Sequence, residues 1–234
     1  MIRNTIILTL AAILLLFASC KKDSSLEPGP WYENYFPLEQ GTFITYNCDS
    51  LVYNDFTNQV DTFRFLIKQY YESVFLDNAG REAMRLERWK KEHPDSAWFL
   101  KDVWFVVKTK DRVEKVEEDV RIVKMVFPVR DNKEWDANAL NFLPARTYTY
   151  DNIHQPFNVL QSDFDSTVTV VNTDPVNLVN EFRNTEVYAI NRGLIYRNFV
   201  DVRLRTDTLL SIPWFQRIRS GVVFTMRAQE FGVQ

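Results

Sequence analysis

From Thr42 onward the chain keeps returning to an alternation of apolar and polar residues with a period of two, and no other feature constrains its fold as strongly. Thr42 to Tyr53 sets Ile44, Tyr46, Cys48 and Val52 on one face and Thr45, Asn47 and Asp49 on the other, the pattern of a half-buried strand. Thr62 to Val74 repeats it, with Phe63, Phe65, Ile67 and Tyr71 opposite Arg64 and Lys68. Turn-forming residues from Asn54 to Gln59 separate the two runs, which predicts a long hairpin. On the same reading Cys48 is a small core residue.

The next reversal is Asp77-Asn78-Ala79-Gly80, where Asn and Gly accept positive φ. Arg81 to Glu92 is rich in helix formers, among them Ala83, Met84, Leu86 and Glu87. Yet Met84 and Leu86 alternate with Arg85 and Glu87 directly after the turn, and this is read as a strand. Trp98 to Val107 is apolar on both faces, which predicts a central strand covered on both sides. Arg112 to Glu117 and Val120 to Val129 form another pair, with Val123, Met125 and Phe127 inward. Residues 130–163 contain Pro144, Pro156 and several Asn, and read as long loops around short strands.

Phe164 to Val171 alternates again, and Pro175 to Phe182 suits one or two helical turns. Glu186 to Ile190 and Leu194 to Leu204 are strands joined at Gly193. The second is expected to bury Leu194, Tyr196, Val200, Val202 and Leu204 and to expose Arg197, Asp201, Arg203 and Arg205. Val222 to Phe231 closes the chain. The expected class is all-β: an antiparallel sandwich, or a strongly curved sheet resembling an open barrel, with few helices.

The N-terminus is different in kind. Arg3 precedes an apolar run from Ile6 to Phe17, too short to span a bilayer and of the length of an export signal. Ala18-Ser19-Cys20 follows, and the segment resembles a bacterial lipoprotein signal, the lipobox. That resemblance implies that Cys20 is linked by a thioether to diacylglycerol and becomes the mature N-terminus. Residues 1–19 are then a signal peptide and 20–30 a lipidated tether (KKDSSLEPGP from Lys21), leaving 31–234 as a single β-domain. The expected location is the cell envelope, at the outer membrane, with either leaflet open. With Cys20 lipidated, Cys48 has no disulfide partner.

Of 28 basic residues the signal holds only Arg3, so its removal takes the net charge from −3 to −4, and nothing points to nucleic acid. A composition of 46% hydrophobic and 15% aromatic residues supports a packed core. All cations after Lys133 are Arg, which suits either an anionic partner near the C-terminal strands or a solvated strand face.

Several short segments carry a further resemblance. Tyr35-Phe36-Pro37-Leu38 followed by Gly41, Phe127-Pro128-Val129 followed by Trp135 and Asn138, and Glu186-Val187-Tyr188-Ala189 leading to Gly193-Leu194-Ile195-Tyr196 resemble recurrent segments of uncharacterised all-β lipoproteins from Bacteroidota. The resemblance implies a fold and carries no activity. His93-Pro94-Asp95 matches the tripeptide of J-domain co-chaperones, but that family presents it between two long helices, and here Trp98 to Val107 is strand-like.

Catalytic signatures are scarce. There are two histidines, His93 and His154, and no zinc ligand spacing. No serine lies in GxSxG, and six scattered glycines form no phosphate loop. No metal or cofactor is expected. Asp49, Asp102, Asp163 and Asp165 lie in or beside strands and are the carboxylates open to acid–base work on a glycan. Asp102 stands out between Trp98 and Trp104, since an unpaired buried carboxylate is costly. The two tryptophans, six apart, are expected on one face. Trp98, Asp102 and Trp104 are therefore the candidate binding residues, as a sugar-stacking platform or apolar groove. The sequence thus points first to an envelope lipoprotein that binds an apolar or glycan ligand or a partner protein. A carboxylate-dependent glycan hydrolase and a structural accessory protein of an envelope complex are the alternatives.

Overall fold

The structure, a computed structural model, describes residues 31–172, 177–206 and 211–234. The export signal and Cys20 lie outside the described residues. Twelve strands follow one another: β1 (Thr42–Asn54), β2 (Gln59–Leu76), β3 (Glu82–Lys91), β4 (Phe99–Lys108), β5 (Arg112–Glu117), β6 (Val120–Val126), β7 (Glu134–Asp136), β8 (Thr147–Val159), β9 (Ser162–Asn172), β10 (Asn180–Ala189), β11 (Gly193–Leu204) and β12 (Ile218–Val233). The only helical elements among the described residues are the 3₁₀ turns Glu33–Tyr35 and Trp214–Gln216.

All twelve strands join one antiparallel sheet in the order β6-β5-β4-β3-β2-β1-β12-β11-β10-β9-β8-β7, and the sandwich alternative gives way to a nearly closed barrel. Sequence neighbours pair everywhere except β6 with β7, and β12 returns to pair with β1, Thr42 opposite Val233. The two edges, β6 and β7, meet. The Val123 N–H donates to the Ala137 carbonyl at 2.9 Å, and Trp135 Nε1 donates to the Val123 carbonyl at 3.0 Å. Closure satisfies backbone groups that an open edge would leave exposed. Register shifts between Thr45 and Tyr46, Tyr71 and Ser73, Arg88 and Trp89, and Val113 and Glu114 mark bulges that bend the sheet toward closure.

Within residues 81–92 the chain forms a strand, Glu82–Lys91, as the alternation indicates: the pairing partners available after a tight turn outweigh helix propensity. Residues 130–163 are not mainly loop, because β8 runs thirteen residues through them. Asn152 and His154 adopt positive φ (49° and 58°) and the β8–β9 register shifts around Gln155, so period two is lost while the hydrogen-bonded ladder survives. Of the proposed turns at 175–182, residues 175 and 176 lie outside the described residues and 180–182 belong to β10. Strand β4 is covered on one face only: Leu100 and Val103 are nearly half exposed on the other.

Polar residues on the outer face exclude a lipid-facing surface. Asp49 pairs with Arg64 and Arg227, and Arg85 with Glu72 and Glu87, all away from the strand ends. Ionised side chains at such depths are costly in a bilayer, so the outer face belongs to water. No helix among the described residues is long and apolar enough to cross a membrane.

At one end the N-terminal segment acts as a plug. Lys108 Nζ donates to the carbonyls of Glu33 (2.8 Å) and Phe36 (3.0 Å), and Asn191 N–H donates to the Asn34 carbonyl at 2.8 Å. Tyr35 is fully buried beneath it.

Gly221, at φ 121° in β12, leaves no room for a side chain against β11. A Cβ there would lie 2.2 Å from the Asp201 carbonyl oxygen and 2.7 Å from Val202 Cα, both backbone atoms that cannot step aside. Gly221→Ala is therefore expected to destabilise the barrel by about 3 kcal/mol, read as a lowered urea midpoint at unchanged m-value.

Candidate functional site

The three residues singled out from the sequence do not form one platform. Asp102 is opposite Arg88 in the ladder, and Leu100 opposite Trp89, so Lys101 is an extra residue in a bulge. One added residue inverts the face of everything before it. Trp98 therefore precedes β4 and lies half-buried beside Lys68 and Lys91 (5.6 and 5.9 Å from its ring), whereas Trp104 points into the barrel. Asp102 bridges Arg88 at 2.5 Å and Lys101 at 2.7 Å, which explains a carboxylate in an apolar strand.

Inside the barrel Trp104 is one wall of a polar cluster. Side chains from eight strands (β2–β6 and β10–β12) and Phe36 line a largely enclosed cavity of about 20 Å³. Its charged members are Arg88, Lys115, Lys124, Glu186 and Arg197. Lys124 bridges Glu186 at 2.6 Å, Arg197 approaches the same carboxylate at 3.4 Å, and the Tyr188 hydroxyl donates to it at 2.7 Å. Lys115 bridges Glu117 at 3.2 Å. The Arg88 guanidinium stacks 3.8 Å above the Trp104 ring, and Lys115 Nζ lies 4.5 Å from it.

Burial works against every charge here. It pushes the Lys115 ammonium down to about 8 and lowers Arg88. For Glu186 burial alone would raise the pKa, but Lys124 and Arg197 outweigh it and hold the carboxyl at about 2. Arg197, expected to face out, lines this cavity instead. Val187 opposes Tyr196 and Tyr188 opposes Leu194, so Ile195 is the extra residue of a bulge that inverts the strand face beyond it.

On the outer wall lies a groove of about 520 Å³ beside the β2–β3 turn. At its base Glu114 is fully buried and held by Arg121 (2.6 Å), Arg112 (2.7 Å) and Arg81 (3.1 Å). Asp77 also bridges Arg81, at 2.8 Å, and Asp111 bridges Arg112 at 3.0 Å, so three guanidiniums meet three carboxylates. Phe75 and Phe105 meet edge to face at 5.6 Å, and the Arg121 guanidinium lies 5.5 Å from the Phe105 ring. Leu76 is 67% exposed and Leu140 40% exposed on the same wall. Hydrogen bonds from Arg81 hold the Asp77 carboxyl at about 2. Burial would raise Glu114, and its three guanidiniums keep it below the usual range. Both acids stay ionised near neutrality, so neither can serve as a general acid.

A third cluster had no sequence signal. The Tyr35 hydroxyl lies 2.7 Å from His154 Nδ1 and 2.9 Å from Ser166 Oγ, while His154 Nδ1 and Ser166 Oγ are 3.4 Å apart. The rings of Tyr32 and His154 pack at 4.3 Å. Because the histidine is closer to Tyr35 than to the serine, the trio fastens the N-terminal plug to the β8–β9 hairpin. Tyr35 is more than a hundred residues from the other two, and His154 itself sits at a positive φ of 58°.

No protein-family model and no curated protein matches the chain. Among solved structures, a "putative lipoprotein" from Parabacteroides distasonis ATCC 8503 aligns with TM-score 0.42 and 10% identity, covering 85% of this chain and 98% of its own. A "putative exported protein with YmcC-like fold" from Bacteroides fragilis NCTC 9343 aligns with TM-score 0.40 and 10% identity, covering 83% and 98%. At 10% identity neither alignment passes a role to this chain.

Proposed function

We propose that this chain is a cell-envelope protein, lipid-anchored at Cys20, that works by binding a protein partner along the outer groove above Glu114. The observation that carries the reading is the pairing, on one wall, of exposed Phe75, Leu76 and Leu140 with the guanidiniums of Arg81, Arg112 and Arg121. Aromatic and Arg side chains are the groups that dominate protein interfaces, and guanidiniums set beside exposed apolar side chains suit a partner presenting an acidic group beside an apolar one. A lipid or sugar carried inside the barrel is disfavoured, because about 20 Å³ holds one or two waters. A glycan hydrolase is disfavoured by the ionised state of Asp77 and Glu114.

A photo-crosslinking residue at position 76, in living cells, tests the groove. A discrete adduct is expected whose yield falls about tenfold in Arg121→Ala, the loss of roughly 1.4 kcal/mol of binding. An unchanged yield, or the same adduct from position 56 on the β1–β2 turn, would overturn the assignment. The anchor is tested by intact mass: a diacylglyceryl increment is expected on the membrane-extracted protein and absent from Cys20→Ala.

A further inference from the structure

The barrel interior carries more positive charge than its own carboxylates neutralise. Arg88, Lys115, Lys124 and Arg197 line the cavity, and the carboxylates bridged to them are Asp102, Glu117 and Glu186. Four cations thus face three anions, and Asp102 is shared further with Lys101. Arg88 is 91% buried by its 9% residual exposure, and its Nε has no hydrogen-bond partner. A buried charge without its counter-charge is strongly unfavourable, and so is a buried donor left unmade. Water would satisfy the donor and leave the charge.

We infer that the barrel holds one monatomic anion, a halide, in the cavity between Arg88, Lys115, Lys124 and Arg197. Size selects it: about 20 Å³ admits a chloride-sized sphere and excludes sulfate, phosphate or a carboxylate-bearing metabolite. Charge selects it over water. The side chains that enclose the site come from both halves of the sheet, β2–β6 on one side and β10–β12 on the other. The anion therefore ties those halves together and acts as a structural ligand of the closed barrel, independent of the outer groove.

Crystals of the purified protein soaked in sodium bromide give the direct test. An anomalous peak is expected in the cavity, within contact of Lys115 Nζ and the Arg88 guanidinium. Density for water with no anomalous signal would overturn the inference. A second measurement avoids crystals. In sodium chloride the thermal midpoint is expected about 5 °C above that in sodium gluconate at equal ionic strength. In Lys115→Met, which removes the excess charge, the two salts should give one midpoint. Equal midpoints for the unmodified protein, or a chloride effect that survives Lys115→Met, would refute the site.

Discussion

Taken above about pH 10, the barrel is expected to unfold cooperatively, with tyrosinate absorbance rising as β-sheet circular dichroism is lost. Tyr46, Tyr148, Tyr150 and Tyr188 are almost wholly buried, and burial raises the pKa of each, that of Tyr148 to about 12. An unfolded tyrosine releases its proton near 10, so above that pH the folded state retains protons the unfolded state has lost, and stability falls as pH rises. Each group removes about 1.4 kcal/mol per pH unit, and four remove about 5 kcal/mol by about pH 11, against a typical total of about 5–15 kcal/mol.

Two other groups shape the approach to that limit. In halide-free buffer Lys115, pushed down to about 8, works in the opposite sense: between about 8 and about 10.4 the unfolded chain binds the extra proton, and stability rises with pH. Burial pushes the Cys48 thiol up to about 12, and its contribution begins to decline near pH 9. The profile should therefore climb slightly above about pH 8, level off near 9–10, and then drop steeply. Tyrosinate appearing gradually around pH 10 while the circular dichroism holds would show that the rings titrate inside the intact barrel, contrary to their burial.

Removing the Glu186 carboxylate is expected to cost about 3–5 kcal/mol, because Glu186→Ala leaves Lys124 and Arg197 buried beside each other without their shared anion. A double variant, Lys124→Met with Glu186→Leu, should recover part of the loss by exchanging an ion pair for apolar packing, with Arg197 still held by Asn184 Oδ1 at 2.9 Å. The acid limb gives an independent check. Glu186 is held at about 2 when folded, so its contribution is complete above the unfolded value near 4.3 and is lost as pH falls toward 2. Glu186→Gln should flatten that limb. Urea unfolding at neutral and acidic pH measures both effects, and a Glu186→Ala variant within about 1 kcal/mol of the parent would mean that water reaches the stranded cations.

The strands whose alternation is unbroken were legible before any coordinates. Ile44, Tyr46 and Cys48 in β1, and Met84 and Leu86 in β3, are buried as their spacing requires. Strand β8 was illegible because Asn152 and His154 turn left-handed within it and no periodicity survives such residues. Trp98 and Arg197 were assigned to the wrong face for a related reason. Lys101 and Ile195 are bulge residues, and an inserted residue leaves no mark in composition while it reverses every side chain beyond it.

The candidate sites divide in the same way. The Asp102 ion pair could be anticipated, because a carboxylate in an apolar strand needs a partner. The outer groove could not, since Arg81, Arg112 and Arg121 each resemble an ordinary solvated cation until the β2–β3 turn, β5 and β6 come together around Glu114. The interior cluster was still less visible. Lys115, Lys124, Glu186 and Arg197 occupy alternating polar positions, the pattern that normally marks the water face.

The sequence by itself determined the all-β class, the hairpins around Asn54–Gln59 and Asp77–Gly80, and much of the apolar core, because these depend on interactions between near neighbours. Only the tertiary structure decided between sandwich and barrel, placed Lys124 within 2.6 Å of a glutamate 62 positions away, and turned a polar strand face into the wall of an enclosed cavity. The physical reason is that a bulge changes face and a closed sheet changes inside from outside. A buried charge becomes tolerable only once its counter-charge arrives from the far side of the ring.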